Sequence, residues 1–197
     1  MDRNKRRFLG AALAGGLAPA LAQAAGGTHA GAGPALLTIS GAITHANRGA
    51  LDPALDQMMH KQKLAFDKAC SFDFAALLAL PAVAIKPTLE YDSRVHRLRG
   101  PLLLDVLKAA GAAPGEGATI LLRAVDGYVA ALTPAQARAQ RFIVATHLDD
   151  KPMPLGGLGP LWAVYDADRD PAMAAKPLGE RFGACPWALY HIEIKPA

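Results

Sequence analysis

Lys151-Pro152-Met153-Pro154-Leu155-Gly156-Gly157-Leu158-Gly159-Pro160-Leu161-Trp162-Ala163-Val164-Tyr165-Asp166 is the stretch around which the chain is organised. A strand with a tight turn, Phe142 to Asp150, leads into it, and prolines at 152 and 154 break the sheet pattern. Gly156, Gly157 and Gly159 form a loop, and a strand resumes at Leu161 to Tyr165. Glycines permit close approach of a neighbour or ligand to the backbone. Prolines set the loop path and lower its entropy. A loop so constrained either forms one face of a binding site or closes a small sheet as a stiff connection.

Upstream, the clearest helix is Gly100-Pro-Leu-Leu-Leu-Asp-Val-Leu-Lys-Ala-Ala-Gly111. Pro101 is expected at its first position and Gly111 just past its end. Leu103, Val106, Leu107 and Ala110 have the i, i+3, i+4, i+7 spacing of a core-facing stripe. Thr119 to Ala124 reads as an apolar strand, turned by Asp126-Gly127 into Tyr128 to Leu132. Thr133-Pro-Ala-Gln136 matches a capping box, so a short helix follows. Asp149-Asp150 suits the dihedrals of a hairpin turn.

Earlier still, Leu36 to Ser40 reads as the first strand, and Pro53 to Lys61 as one or two helical turns. Leu64 to Phe66 is expected as a short strand. Asp73 caps a helix from Phe74 to Leu80, ended by Pro81. Val83 to Glu90 is strand-like, with Tyr91-Asp92-Ser93 turning it into Arg94 to Leu98. Beyond the opening stretch, Asp166 to Gly183 reads as a long surface loop, and Ala188 to Lys195 as the closing strand. Many short strands with a few short helices make a mixed α+β domain. Long helices do not alternate with strands, so a doubly wound sheet is excluded.

The start of the 197-residue chain reads as an address. Asn4-Lys5-Arg6-Arg7-Phe8-Leu9 is basic, Ala11 to Leu21 is apolar and uncharged, and Ala22-Gln23-Ala24 has the small residues of a cleavage site. Residues 1–24 are expected to be a signal peptide of the twin-arginine type, cleaved after Ala24, which places the protein in the periplasm. The apolar run is short and glycine-rich for a bilayer span, so no stable membrane anchor is expected after cleavage. Residues 25–35 read as a flexible leader and 36–197 as a single domain. Arg3, Lys5, Arg6 and Arg7 against Asp2 carry +3 of the formal +4 charge. The mature chain is therefore near neutral, and nucleic-acid binding loses its electrostatic basis.

Cys70 and Cys185 are the two cysteines. Their even number and oxidising compartment favour a disulfide between them, worth about 4–5 kcal/mol in the loop-entropy description. Two buried thiols, or a thiolate serving as a soft metal ligand, are the alternatives. The histidines show no H-x-x-x-H spacing, and Met58-Met59-His60 is a weak soft-metal cluster. No nucleophile elbow, P-loop or dinucleotide fingerprint is present. Asp126-Gly-Tyr128 and Tyr91-Asp92 suit turn chemistry, and Trp162, Tyr165 and Trp187 suit core or pocket walls.

Five segments in order, Gly100 to Gly111, Asp126 to Tyr128, Asp150 to Pro154, Gly159 to Trp162 and Trp187 to Ile194, resemble the small exported members of the sulfite-oxidase-type oxidoreductase molybdopterin-binding domain family. The resemblance runs from about Leu36 to Ile194 and lies in the order and spacing of the segments. It implies a sulfite-oxidase molybdopterin-domain-like fold in which loops between short strands cradle molybdopterin. It also implies a possible oxidoreductase acting on a small molecule with a redox partner. The corresponding cofactor-binding candidates are Tyr91, Asp126, Tyr128, Met153, Gly159, Trp162 and Tyr165.

Three departures accompany the match. The larger enzymes bind molybdenum through a cysteine near the end of the strand before the clear helix, where this chain reads Pro87-Thr-Leu-Glu-Tyr-Asp92. They place an arginine where Trp162 stands, and basic residues where this chain has Ala184-Cys185-Pro186. Arginine and lysine there would pair with the cofactor phosphate. The alternatives are a molybdopterin-dependent redox enzyme, a cofactor-free periplasmic module for small-ligand binding, sensing or interaction, and a scaffold in which the motifs only pack the core.

Overall fold

Alternation of apolar residues builds the central sheet of the computed structural model, which describes residues 33–197. The expected signal peptide and most of the expected leader lie outside the described residues. Strands β1 (Leu37–Gly41), β2 (Cys70–Phe72), β5 (Thr119–Ala124), β6 (Val129–Leu132) and β11 (Leu189–Lys195) form a five-stranded sheet in the order β2-β1-β11-β5-β6. β1 and β11 run parallel, and every other pair in this sheet is antiparallel. Leu37, Ile39, Ile120, Leu122, Ile192 and Ile194 point into one core.

The opposite face carries polar side chains and is covered by the segment 42–66. Ser40 Oγ lies 3.0 Å from His191 Nε2, and Arg123 pairs with Glu193 at 3.1 Å. Phe66 stacks on His191, with ring centroids 6.2 Å apart, and the Arg48 guanidinium sits 5.1 Å above the Phe66 ring. Arg48 is held in turn by Asp56 at 2.5 Å. Pairing supports most of this buried layer, and Arg123 Nε and His191 Nδ1 are left without a partner among the described residues.

A second sheet has the order β3-β4-β8-β9, from β3 (Ala82–Ile85), β4 (Leu98–Pro101), β8 (His147–Leu148) and β9 (Lys151–Pro152). β7 (Ile143–Ala145) and β10 (Trp162–Val164) form an antiparallel pair beside it. Gly100 allows β4 to lie against β7, since a Cβ at this position would fall 1.9 Å from the Val144 carbonyl oxygen. The turn between β8 and β9 is Asp149-Asp150, both at positive φ (48° and 64°), as a two-residue hairpin requires.

Helix α3 (Leu103–Ala109) presents Leu103, Val106 and Leu107 to the core, with Ala110 buried just past its end. Gly111 follows at φ 70°, the left-handed conformation that ends helices. The other helices are α1 (Gln57–Lys61), α2 (Phe74–Leu78), α4 (Pro134–Ala139), which packs on α3, and α5 (Pro171–Ala174). Asp73 caps α2 by accepting from Ala76 N, and Thr133 with Gln136 closes the expected capping box on α4. The domain is thus mixed α+β, with many short strands and few short helices, and Gly31–Ala197 behaves as one compact unit.

Four expectations are corrected. Leu64 to Phe66 is not a strand; Cys70–Phe72 takes that place as an edge strand, paired to β1 by backbone bonds that its three residues do not announce. Pro101 ends strand β4, opposite Ala82, and does not open α3, whose N-cap is Leu102. Asp166 to Gly183 is not plain loop: it holds two 3-10 turns and α5, which Asp170 caps and Pro171 opens. The bridge between Cys70 and Cys185 is absent. Both are buried free thiols, one in β2 of the central sheet and the other beside Trp162, with burial raising each thiol's pKa.

Candidate functional site

Three loops meet at one end of the central sheet. The β5–β6 turn carries Asp126 and Tyr128. Asp126 Oδ1 accepts from Tyr128 N at 2.9 Å, and Gly127 sits at φ 93°. The Tyr128 hydroxyl donates to the Gly183 carbonyl, tying the turn to the loop before β11. That loop brings Cys185, Pro186 and Trp187, and Ala188 at φ 48° redirects it into the sheet. Val125 N donates to Ala188 O at 3.1 Å, and Ala188 N to Leu158 O at 3.1 Å, which fastens the glycine-rich loop alongside. The turn after β3 supplies Glu90 and Tyr91.

Between them lies a cleft of about 300 Å³. Glu90, Tyr91, Asp126, Tyr128 and Trp187 reach it from three separate loops, and Phe182 with Cys185 lies at its inner side. Three of the aromatics are unusually open for their size: Tyr91 55%, Tyr128 48% and Trp187 38%. Cys185 is 4% exposed and Phe182 5%, so the inner wall is closed. The charged side chains among the described lining residues are Glu90 and Asp126. Burial, then the neighbouring Glu90 carboxylate, pushes the Tyr91 phenol up to about 12, so it stays a neutral donor at ordinary pH.

A second depression, about 610 Å³, adjoins the first. Leu155, Leu158, Val125 and Ala188 line it with Gly156 and Gly157, and it shares Tyr91 and Trp187 with the cleft. Leu155 is 72% exposed at its rim.

The residues expected from sequence divide into two shells. Tyr91, Asp126 and Tyr128 are on the cleft surface. Trp162 and Tyr165 are buried behind it: Trp162 Nε1 donates to Cys185 O at 2.9 Å, and the Tyr165 hydroxyl donates to Arg181 O at 2.6 Å. The Trp162 ring packs on Tyr91 at 6.5 Å and on Phe182 at 6.0 Å, so it buttresses the wall that the cleft residues form. Met153 is buried, and a Cβ on Gly159 would fall 2.4 Å from Met153 Cβ; these two close the base of the glycine loop. Glu90 is a cleft residue that the sequence reading omits, and Trp187, expected as a core or pocket wall but not among the cofactor-binding candidates, also lines the cleft. Their signals were the Leu-Glu-Tyr run ahead of a turn and a tryptophan just before the last strand.

The turn holding Glu90 and Tyr91 is anchored by His96. Its Nε2 meets Asp92 Oδ2 at 2.9 Å and its Nδ1 meets Asp149 Oδ2 at 2.7 Å. Asp149 first and Asp92 second hold its pKa above the ordinary histidine value. Both carboxyls lie below their usual range: Asp149 through the Arg97 N–H and then His96, Asp92 chiefly through His96. The anchor is therefore complete below the unfolded histidine value and is lost as pH rises through the raised folded one. On the acid side it is lost as pH falls through the depressed carboxyl values. Raising the pH from 6 to 9 should lower amide-exchange protection across residues 89–94 in the wild type. His96→Ala should show the low protection at both pH values, and a pH-independent wild-type loop would refute the anchor.

The residues do not suit the group that the sequence resemblance implies. The sulfur at the cleft belongs to Cys185, whose thiol is buried and whose pKa is pushed up by that burial, so it does not present a thiolate to a metal. Glu90 and Asp126 would repel a pterin phosphate instead of pairing with it. No three of His, Cys, Asp and Glu gather as a metal-ligand set among the described residues. No family model matches the chain, and no curated protein matches it.

Proposed function

We propose that the protein is an exported binding module for a small molecule, built on a sulfite-oxidase-type molybdopterin-binding domain fold whose cofactor loops now form a ligand cleft. The observation that carries this reading is the cleft lining: three open aromatic rings and two carboxylates, with the nearest sulfur buried beneath them. Convergent polar groups in an apolar concavity are the usual form of a small-ligand site. Order and spacing of the five sequence segments support the fold. The basic leader with paired arginines and a small-residue cleavage site supports periplasmic location. Near-neutral charge after cleavage supports a small-molecule partner over nucleic acid.

A molybdopterin-dependent oxidoreductase is the second reading, favoured by the same ordered segments. Metal and pterin analysis of protein exported in a host that makes the cofactor separates the two. The expected result is neither molybdenum nor pterin fluorescence. Near-stoichiometric molybdenum would overturn the binding-module reading.

A further inference from the structure

The ligand class follows from how the two depressions join. Tyr91 and Trp187 form the ridge between them, each ring bordering both. On one side stand Glu90 and Asp126 with Tyr128. On the other the walls are aliphatic side chains and glycine backbone. Aromatic faces carry negative electrostatic potential and attract cations, the more so where water is displaced. Carboxylates beside them add attraction of the same sign. Phosphates, sulfonates and carboxylates meet repulsion in the same place, since no cation among the described lining residues offsets Glu90 and Asp126.

Resting on the binding-module reading, we infer that the cleft takes an amphipathic organic cation. Its ammonium head lies among Glu90, Asp126 and the rings of Tyr91, Tyr128 and Trp187, and its apolar tail crosses the ridge into the depression walled by Leu155 and Leu158. The neutral Tyr91 phenol fits this role, because its ring offers an electron-rich face without adding charge. Glycines at 156 and 157 leave the tail channel open: a Cβ at Gly156 would meet nothing within 4 Å, and at Gly157 would meet only Pro154, no nearer than 3.7 Å. A bulky side chain there would narrow the channel.

Titration of the intact exported protein, followed by tryptophan fluorescence and calorimetry, tests the inference with butyl- to octyltrimethylammonium, choline, and 3,3-dimethylbutan-1-ol as the neutral isostere of choline. Octyl sulfate supplies the same tail with the opposite charge. Choline should bind at least roughly tenfold more tightly than its neutral isostere, as cation–π and carboxylate attraction together imply. Affinity should rise about twofold to fourfold for each methylene that the apolar depression accommodates. Glu90→Gln and Asp126→Asn should each weaken choline roughly threefold to tenfold and leave the neutral isostere unchanged. Added salt should weaken choline and the alkyltrimethylammonium ions and leave the neutral isostere unchanged.

Trp187→Leu gives a second route, with calorimetry as its readout, because it removes a ring without touching the carboxylates. It should weaken the cations more than the alcohol. Equal binding of choline and its isostere, or tighter binding of octyl sulfate, would overturn the cation assignment while the binding-module reading stands. No binding by any probe at millimolar concentration, in protein whose melting transition matches the unligated state, would overturn the cation assignment. Molybdenum in the exported protein is the separate result that removes the reading beneath it.

Discussion

Lowering the pH from 7 to 4 is expected to remove about 3 kcal/mol of folding stability through His191 alone. The side chain is wholly buried in the polar layer on the outer face of the central sheet. Burial first, then Arg123 and Arg48, depresses its pKa to about 3, against 6.5 for an ordinary histidine. Nε2 has Ser40 as partner, whereas Nδ1 has none among the described residues. A proton added to the folded state would thus sit buried beside two guanidinium groups. The unfolded chain takes that proton near pH 6.5 without penalty. Stability is therefore full above the unfolded value and falls steadily as pH drops toward the folded one. Urea unfolding at half-unit pH steps should show the slope. His191→Gln keeps a hydrogen-bonding atom near Ser40 and cannot titrate, so its stability should fall much less between pH 6.5 and 4, with a residual slope from groups such as His147, whose pKa burial lowers. An equal slope in the variant would assign the acid sensitivity elsewhere.

Truncating Trp162 should have the other large effect. Trp162→Ala removes a fully buried indole from between Tyr91 and Phe182 and strands the Cys185 carbonyl that it serves. The expected loss is about 3–5 kcal/mol. Trp162→Phe keeps most of the ring and loses the hydrogen bond, so about 1–2 kcal/mol is expected. Denaturant midpoints measure both. The alanine variant, if it still folds, should also bind cleft ligands more weakly, because the wall behind Tyr91 and Cys185 loses its support. A near-neutral Trp162→Ala would contradict its place in the core.

These two residues mark how far the sequence could be read. Trp162 was visible as a strand aromatic after a glycine-rich loop, and candidate status in a cofactor site followed from its place in that order. Its orientation was not visible: β10 pairs with β7, which turns the indole inward and leaves Tyr91 as the surface ring. His191 was one of several lone histidines, and no local pattern tells that β1 and the 42–66 segment enclose it. Elements with their own punctuation were legible. The Thr133 capping box, the Asp73 cap, Gly111 and the Asp149-Asp150 turn all stand where the sequence put them. What escaped was set by distant partners: β2, whose three residues are a strand only through β1, and the packing that keeps Cys70 and Cys185 in separate parts of the core.

The parallel pairing of β1 with β11 has a consequence for the order of folding. Ser40 and His191 touch across 151 residues, and β11 lies between β1 and β5 in the middle of the sheet. β1 and β5 have no other strand to join them, so the sheet cannot close until β11 is in place. Contacts of such long separation slow folding, since the chain must be closed into a large loop before they reward it. Closure of the sheet therefore waits on β11. A nascent chain lacking it exposes two unpaired strand edges, which is the state a chaperone would meet.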